Sequence, residues 1–204
     1  MAFFILQNST NVIHRVALIE FYIGFCYWRS RNLRDIYENS QWIVLIEVYM
    51  TTIAWDGKTL ASDSQSQVGN MITSTESQKI YSPQYGKWVI NSSEITAIGI
   101  AGDTSCIDEV ISKLLLGINY ETEFSSIVDF CLIAVTTKGA AYGLSKDKGD
   151  TLPSIFKVGD MFTIGSGDAY AMAAMKSGKT AKEAVEVAIS LDVYSGGEIQ
   201  EFSL

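Results

Sequence analysis

The sequence predicts an α+β domain in which two antiparallel sheets pack face to face, with helices on the outside. Two observations carry that prediction. Strand-like segments recur in pairs around short turns, and a few amphipathic helical segments fall between and after them. No internal repeat or low-complexity tract interrupts the pattern.

Asp56-Gly57, set between residues 52–55 and 58–61, is the strongest short hairpin signal in the chain. Strands are predicted at 87–90 and 94–101, joined by Asn91-Ser92-Ser93. Residues 104–116 then read as a helix: Ile107, Val110, Ile111, Leu114 and Leu115 share a face, Ser105 and Asp108 form a capping pair, and Gly117 closes it. A second hairpin is predicted from 129–136 and 140–144 around Lys138-Gly139. A third joins 156–158 to 161–164 around Gly159-Asp160. Helices follow at 168–177, ended by Gly178, and from Thr180 to about Ser190, opened by the capping box Thr180-Ala181-Lys182-Glu183. A final strand covers 198–202.

A break in composition falls at Met50. All four arginines and the single histidine, His14, precede it, whereas every lysine and both prolines follow it. Ten aromatic residues crowd into the first fifty positions. The break divides the chain into a segment 1–50 and a domain 51–204. Residues 16–28 are apolar but contain Glu20, and only Arg15 gives a basic start, which does not suit a secretory signal. The same stretch is too short for a membrane span, which needs about 20 apolar residues. The plainest reading is an over-extended start with Met50 as the natural initiator; a cleaved propeptide and an anchor are the alternatives.

The residues after Met50 carry the whole formal net charge of −8, because four basic and four acidic residues before it cancel. Such acidity argues against a nucleic-acid binder or an anionic-membrane binder, either of which needs a basic face. Cys26, Cys106 and Cys131 are odd in number and widely spaced, so neither a disulfide framework nor a zinc site is expected. Buried free thiols in a reducing cytoplasm are the expectation, with no metal and no cofactor.

Thr51 follows Met50 directly. Removal of that methionine would leave one residue carrying a nucleophilic hydroxyl and, in its own α-amine, a base. Asp63, on the second strand of the first hairpin, can approach Thr51 across the ladder. Lys79 held by a buried aspartate would stay charged and favour the alkoxide. Taken alone, these two read as a solvated carboxylate and a surface lysine. Gly99 and Gly102 could bring a backbone N–H close to a substrate oxygen, or simply relieve crowding where a strand meets a helix. Gly165-Ser166-Gly167-Asp168 opens a helix but lacks the lysine and spacing of a phosphate loop. Ser166 offers a hydroxyl to a nearby amine, while Asp192 and Ser195 alone would be a helix stop and turn.

Thr51-Thr52-Ile53, Asp63, Gly69-Asn70, Lys79, residues 97–103, Gly165-Ser166-Gly167 and Asp192-Val193-Tyr194-Ser195-Gly196-Gly197 together resemble the β-type proteasome subunits and their bacterial relative HslV. The similarity runs from Thr51 to the C-terminus, and the Asp-x-Tyr-Ser-Gly-Gly element is its most specific part. The resemblance implies an N-terminal-nucleophile hydrolase with a four-layer αββα sandwich, acting as a threonine-type endopeptidase on protein or peptide substrates. It implies that Thr51 is the nucleophile, that Asp63 pairs with Lys79, and that Lys79 lowers the hydroxyl pKa. It further implies that Gly99 N–H forms the oxyanion hole, and that Ser166, Asp192 and Ser195 orient the amine and a proton-relaying water. Ala97 and Ala101 fall near the expected first specificity pocket, which points to sizeable apolar side chains in the substrate. A homo-oligomer that sequesters the site is implied, with an ATPase unfoldase as partner.

Two departures stand out. Only residues 117–126 separate the first helix from the next strand, so one helix layer is expected to be truncated, which bears on ring assembly and ATPase docking. No glycine precedes Thr51, which favours plain removal of Met50 over self-cleavage. An amidase or acylase acting on small amides, and a silent assembly subunit whose threonine is never freed, are the alternative functions.

Overall fold

The computed structural model describes residues 51–204; the segment 1–50, expected to be an extension or propeptide, lies outside the described residues. Strands β1 (Thr52–Trp55) and β2 (Thr59–Ser62) form the first predicted hairpin, with Ile53 opposite Ser62 and Trp55 opposite Leu60. Its turn is built by Asp56, whose Oδ1 accepts the N–H of Lys58 (3.0 Å) and of Thr59 (2.8 Å). Gly57 takes φ +90°, a conformation a side chain would resist.

Beyond it lie β3 (Ser66–Val68), β4 (Met71–Ser74), β5 (Ile80–Tyr81), β6 (Trp88–Ile90) and β7 (Ser93–Gly102). Helix α1 (Ile107–Leu116) is followed by β8 (Phe130–Thr136), β9 (Ala141–Lys146), β10 (Ser154–Val158) and β11 (Phe162–Gly165). Helices α2 (Asp168–Lys176) and α3 (Ala181–Leu191) precede β12 (Gln200–Ser203). A four-stranded sheet has the order β11-β1-β2-β12. A six-stranded sheet has the order β10-β9-β8-β7-β5, with β6 also on β7; every pairing in both sheets is antiparallel.

Strand alternation separates three apolar layers. Ile53, Trp55 and Leu60 pack against Ala97, Ile133 and Val135 between the two sheets. Ala54 and Ala61, on the other face of the four-stranded sheet, meet Ala171, Ala174, Ala184 and Ala188 of α2 and α3. Ile98, Leu132 and Ala134 meet Val110 and Leu114 of α1 on the far side of the six-stranded sheet. The result is the expected αββα sandwich.

Local signals were read correctly where the chemistry is local. The Thr180 box is formed: Thr180 Oγ1 accepts from Glu183 N, and Glu183 Oε2 accepts from Thr180 N at 2.8 Å. The capping pair proposed for the first helix is not. Residues 104–106 form a 3-10 turn, and Asp103 Oδ1, not Ser105, accepts the backbone N–H, that of Ser105 (2.9 Å). The third predicted hairpin is also corrected. β10 pairs with β9 and β11 with β1, so the chain crosses from one sheet to the other at Gly159-Asp160. Val158 and Phe162 both pack into the layer between the sheets, which a hairpin within one sheet would not require.

One layer is thin. Residues 117–129 hold no second helix; Phe124 and Val128 are buried against the six-stranded sheet instead, with Phe124 edge-to-face on Phe130 at 5.1 Å between ring centroids. Lys146 is buried beside them, and its ammonium donates to Ser125 O (2.5 Å) and Asp150 O (3.4 Å).

Phe124→Ala is expected to lower the unfolding free energy by about 3–5 kcal/mol, the usual cost of deleting a buried aromatic ring; urea denaturation measures it, and a loss under 1 kcal/mol would mean the loop is not a true part of the core. Burial pushes the Cys106 thiol up to about 12. Iodoacetamide at pH 8 should therefore leave Cys106 unmodified in the folded chain and alkylate it in denaturant, as read by peptide mass mapping.

Candidate active site

Thr51 sits at the entry to β1, where three chain segments converge. It is 2 % exposed, Asp63 is 0 % and Lys79 is 5 % exposed. The Thr51 hydroxyl donates to Asp63 Oδ1 and accepts from the Lys79 ammonium. Lys79 Nζ also lies 2.8 Å from Asp63 Oδ1. Asp63 collects three backbone donors besides: Thr52 N–H on Oδ1 (2.9 Å), then Gln65 N–H (3.1 Å) and Gly196 N–H (2.9 Å) on Oδ2. Five donors on one carboxylate explain how a charge survives complete burial.

Burial is the largest influence on Lys79 and pulls its pKa below the ordinary 10.5, while Asp63 and, more weakly, Asp192 work the other way. This qualifies the expectation that the aspartate alone sets the lysine's state. An ammonium held short of its normal basicity is the stronger hydrogen-bond donor to an alkoxide forming on Thr51 Oγ1.

A second group forms behind Thr51. Asp192 Oδ2 accepts from Ser166 Oγ (2.6 Å) and from Ser195 Oγ (2.7 Å). With its proton on Asp192, Ser195 must accept from Thr52 Oγ1, 2.7 Å away. Ser166 Oγ also stands 3.2 Å from the Thr51 carbonyl oxygen. The glycines around Ser166 follow from close approach. A Cβ on Gly165 would run into the Thr51 carbonyl and one on Gly167 into the Thr52 hydroxyl, so only glycine lets this turn reach β1.

The structure thus brings together Thr51, Asp63, Lys79, Ser166, Asp192 and Ser195. It does not bring Gly99, Ala97 or Ala101 to the hydroxyl. Ile100 N–H donates to Lys79 O (3.0 Å), and Asp103 N–H donates to Asp129 O (3.0 Å). Alternation along β7 therefore turns Gly99 N–H toward its partner Ile133 in β8, where the ladder consumes it. A Cβ on Gly99 would lie 2.8 Å from Ile53 Cγ2, so the residue is small because the sheets touch there. Ala97 and Ala101 are buried in the same layer, 0 % and 4 % exposed. Gly69-Asn70 caps the exposed β3–β4 hairpin.

Gly102, weighed beside Gly99 in the sequence, and Thr52, which was not singled out, also lie here. Gly102 shares the edge of β7 that Ile100 presents to Lys79, but β5 begins at Ile80, opposite Gly99, so no β5 residue faces Gly102. Strand parity, counted from Ile100 N–H on Lys79 O, assigns the Gly102 N–H to that same edge. Thr52, the inner end of the hydroxyl chain to Asp192, carried no sequence signal beyond its place after Thr51.

Among the described residues, no group of His, Cys, Asp and Glu side chains could hold a metal ion, and no helix is long and apolar enough to cross a membrane. No protein-family model matches the chain, and no curated protein matches it in sequence. Solved structures resemble it. Thiobacillus denitrificans BPH in complex with epoxomicin aligns at a TM-score of 0.48 and 14% identity, over 76% of this chain and 97% of that one. A second Thiobacillus denitrificans BPH structure aligns at a TM-score of 0.45 and 16% identity, over 76% and 96% of the two chains.

The lowered Lys79 pKa has a consequence for stability. Between its folded value and 10.5 the unfolded chain binds more protons than the folded one, so unfolding free energy rises with pH through that window. The stability difference between wild type and Lys79→Met is expected to grow in favour of wild type as pH approaches 10.5. Urea titrations over that range check this, and a flat or falling difference contradicts it.

Proposed function

We propose that residues 51–204 form a threonine-type endopeptidase that hydrolyses peptide bonds through an acyl-enzyme on Thr51, within a homo-oligomer. The observation that carries this reading is the meeting of the Thr51 hydroxyl with the Lys79 ammonium and the fully buried Asp63 carboxylate. A threonine needs no such surroundings to fold a strand. It needs them to become a nucleophile.

The bond before Thr51 must first be cut, either by methionine removal after initiation at Met50 or by processing of a longer chain. The freed α-amine then belongs to the residue that attacks. Thr51 Oγ1 adds to the substrate carbonyl carbon while its proton passes to that amine. Lys79 donates to the oxygen as charge builds on it. Gly102 N–H, which strand parity assigns to the β7 edge on the Lys79 side, is the donor we assign to the carbonyl oxygen as it becomes an oxyanion. The protonated amine then gives its proton to the leaving nitrogen, and an ester on Thr51 remains. Water, deprotonated by the same amine, releases the acyl group and restores the hydroxyl.

Asp63 anchors Lys79, and the Ser166–Asp192–Ser195 group holds the Thr51 carbonyl and Thr52 so that the amine keeps its place. While Thr51 N remains in peptide linkage there is no base, and the same geometry is inert. A chain in that state is the silent assembly subunit. Intact-mass measurement therefore decides between the two. Activity is expected to accompany a mass beginning at Thr51 and to be missing from a chain that retains earlier residues.

On fluorogenic peptides, Thr51→Ala should fall to background, and Lys79→Ala should lower kcat by about 10²–10³-fold with the fold intact, the usual effect of removing one electrostatic stabiliser. A Lys79→Ala variant that kept most of its turnover would refute the proposed activation. Turnover of small amides but not peptides would make the chain an amidase instead.

A further inference from the structure

The segment that delivers Lys79 to the site is weakly held by its own sheet. β5 is only two residues long and pairs with β7 on one side alone. Lys79 O is taken by Ile100 N–H, but the N–H groups of Lys79 and Ile80 face away from β7's ladder partners. Both are satisfied by one side chain of the other sheet. Gln200 Oε1 accepts from Lys79 N (2.9 Å) and from Ile80 N (3.1 Å), and Gln200 Nε2 donates to Ser77 O (2.7 Å).

Gln200 is itself fixed relative to Asp63. It stands opposite Ser62 in the β12–β2 ladder, one residue from that carboxylate. Alternation along β12 sends Gln200 and Phe202 inward and Glu201 outward, where Glu201 pairs with Lys182 on α3 at 3.1 Å. The amide thus spans the gap between the edges of two sheets, and it matches the backbone with an acceptor toward two N–H groups and a donor toward one carbonyl. Glutamate would supply the acceptor without the donor, asparagine would be too short, and an apolar side chain would supply neither.

We propose that Gln200 is a positioning residue for Lys79: its side-chain amide grips the Ser77–Ile80 backbone, and that grip keeps the lysine ammonium on Thr51 Oγ1 and Asp63. The lysine stem is long and flexible, so its head is placed only as well as its backbone is. The gap between the sheet edges is an open groove, lined by Gln78, Ile80, Ser82, Gln200, Glu201 and Phe202. The same backbone is anchored at its start by Ser77 N–H on Ser64 O (2.9 Å), which leaves Lys79 N and Ile80 N to Gln200.

The test uses Gln200→Met, close in length but without either hydrogen-bonding group, on chain labelled with ¹³C at lysine Cε. The Lys79 resonance is identified by its loss in Lys79→Met. In wild type Lys79 should titrate below the ordinary lysine range. In Gln200→Met it should move back toward that range as the ammonium leaves its buried berth, and the Lys79 and Ile80 amides should lose protection from hydrogen exchange. Gln200→Glu, which keeps the acceptor, should retain most of that protection. If Gln200→Met fails to fold, Gln200→Asn is read the same way.

With peptide turnover present, kcat should fall about 10- to 100-fold at a KM within about twofold, as expected for a misplaced catalytic group. A titration shift in a chain whose wild type shows no hydrolysis would uphold Gln200's role and reject the proposed function alone. An unchanged Lys79 titration in Gln200→Met overturns the proposal whatever the activity.

Discussion

The buried carboxylate of Asp63 is the constraint on which this domain turns. Moving an ion of that kind out of water costs several kcal/mol unless every lone pair finds a partner. Its partners come from four places: the entry to β1, the turn after β2, the segment before β5 and the loop before β12. None of these segments alone can hold a charge. The carboxylate is tolerated only when all four arrive, so folding of the sandwich and assembly of the site are one event. The lysine shares the bargain, and burial leaves it less basic than a lysine in water.

The closeness of the two sheets explains the small residues of β7. Ala97, Gly99 and Ala101 alternate with Ile98 and Ile100, and the small set faces β1 while the isoleucines face α1. Packing at interior density leaves no room for a larger residue where Gly99 meets Ile53. The same run of residues, seen only as letters, looks like an oxyanion loop followed by a specificity pocket. Strand parity separates the two. At this end of β7 the Ile100 N–H meets Lys79 O, and the odd-numbered N–H groups turn to the β8 side, as that of Asp103 does to Asp129 O.

The loop 117–129 shows how a thin layer is completed without a helix. Phe124 and Val128 supply the apolar cover, and the Lys146 ammonium ties Ser125 to Asp150 through their carbonyls. Gly149 N–H to Ser126 O (2.8 Å) and Phe124 N–H to Thr151 O (2.7 Å) join the same two turns. A lysine serves there as a cross-link between loops, with its charge met by carbonyl dipoles.

The elements legible in the sequence were those whose signals are local: the Asp56-Gly57 turn, the Thr180 capping box, the amphipathic face of α1 and the strands from β6 through β9. Misread were the crossing at Gly159-Asp160, where a turn signal says nothing about which sheet the next strand joins, and the short strands β3, β4 and β5, which lack a period. Of the site, Thr51, Asp63, Lys79, Ser166, Asp192 and Ser195 could be named because their types and order carry a chemical pattern. Gly99, which lies opposite Ile133 in the β7–β8 ladder, and the silence about Thr52 and Gln200 mark where that pattern ends. Amino-acid order alone determined which side chains could become acid, base or nucleophile, since that is a property of the residues. Only the packed sheets decided which N–H is free, which charge is desolvated and which amide holds the lysine. Those depend on neighbours the fold brings together, from 16 residues away for Lys79 and Asp63 to 133 for Gly196 and Asp63.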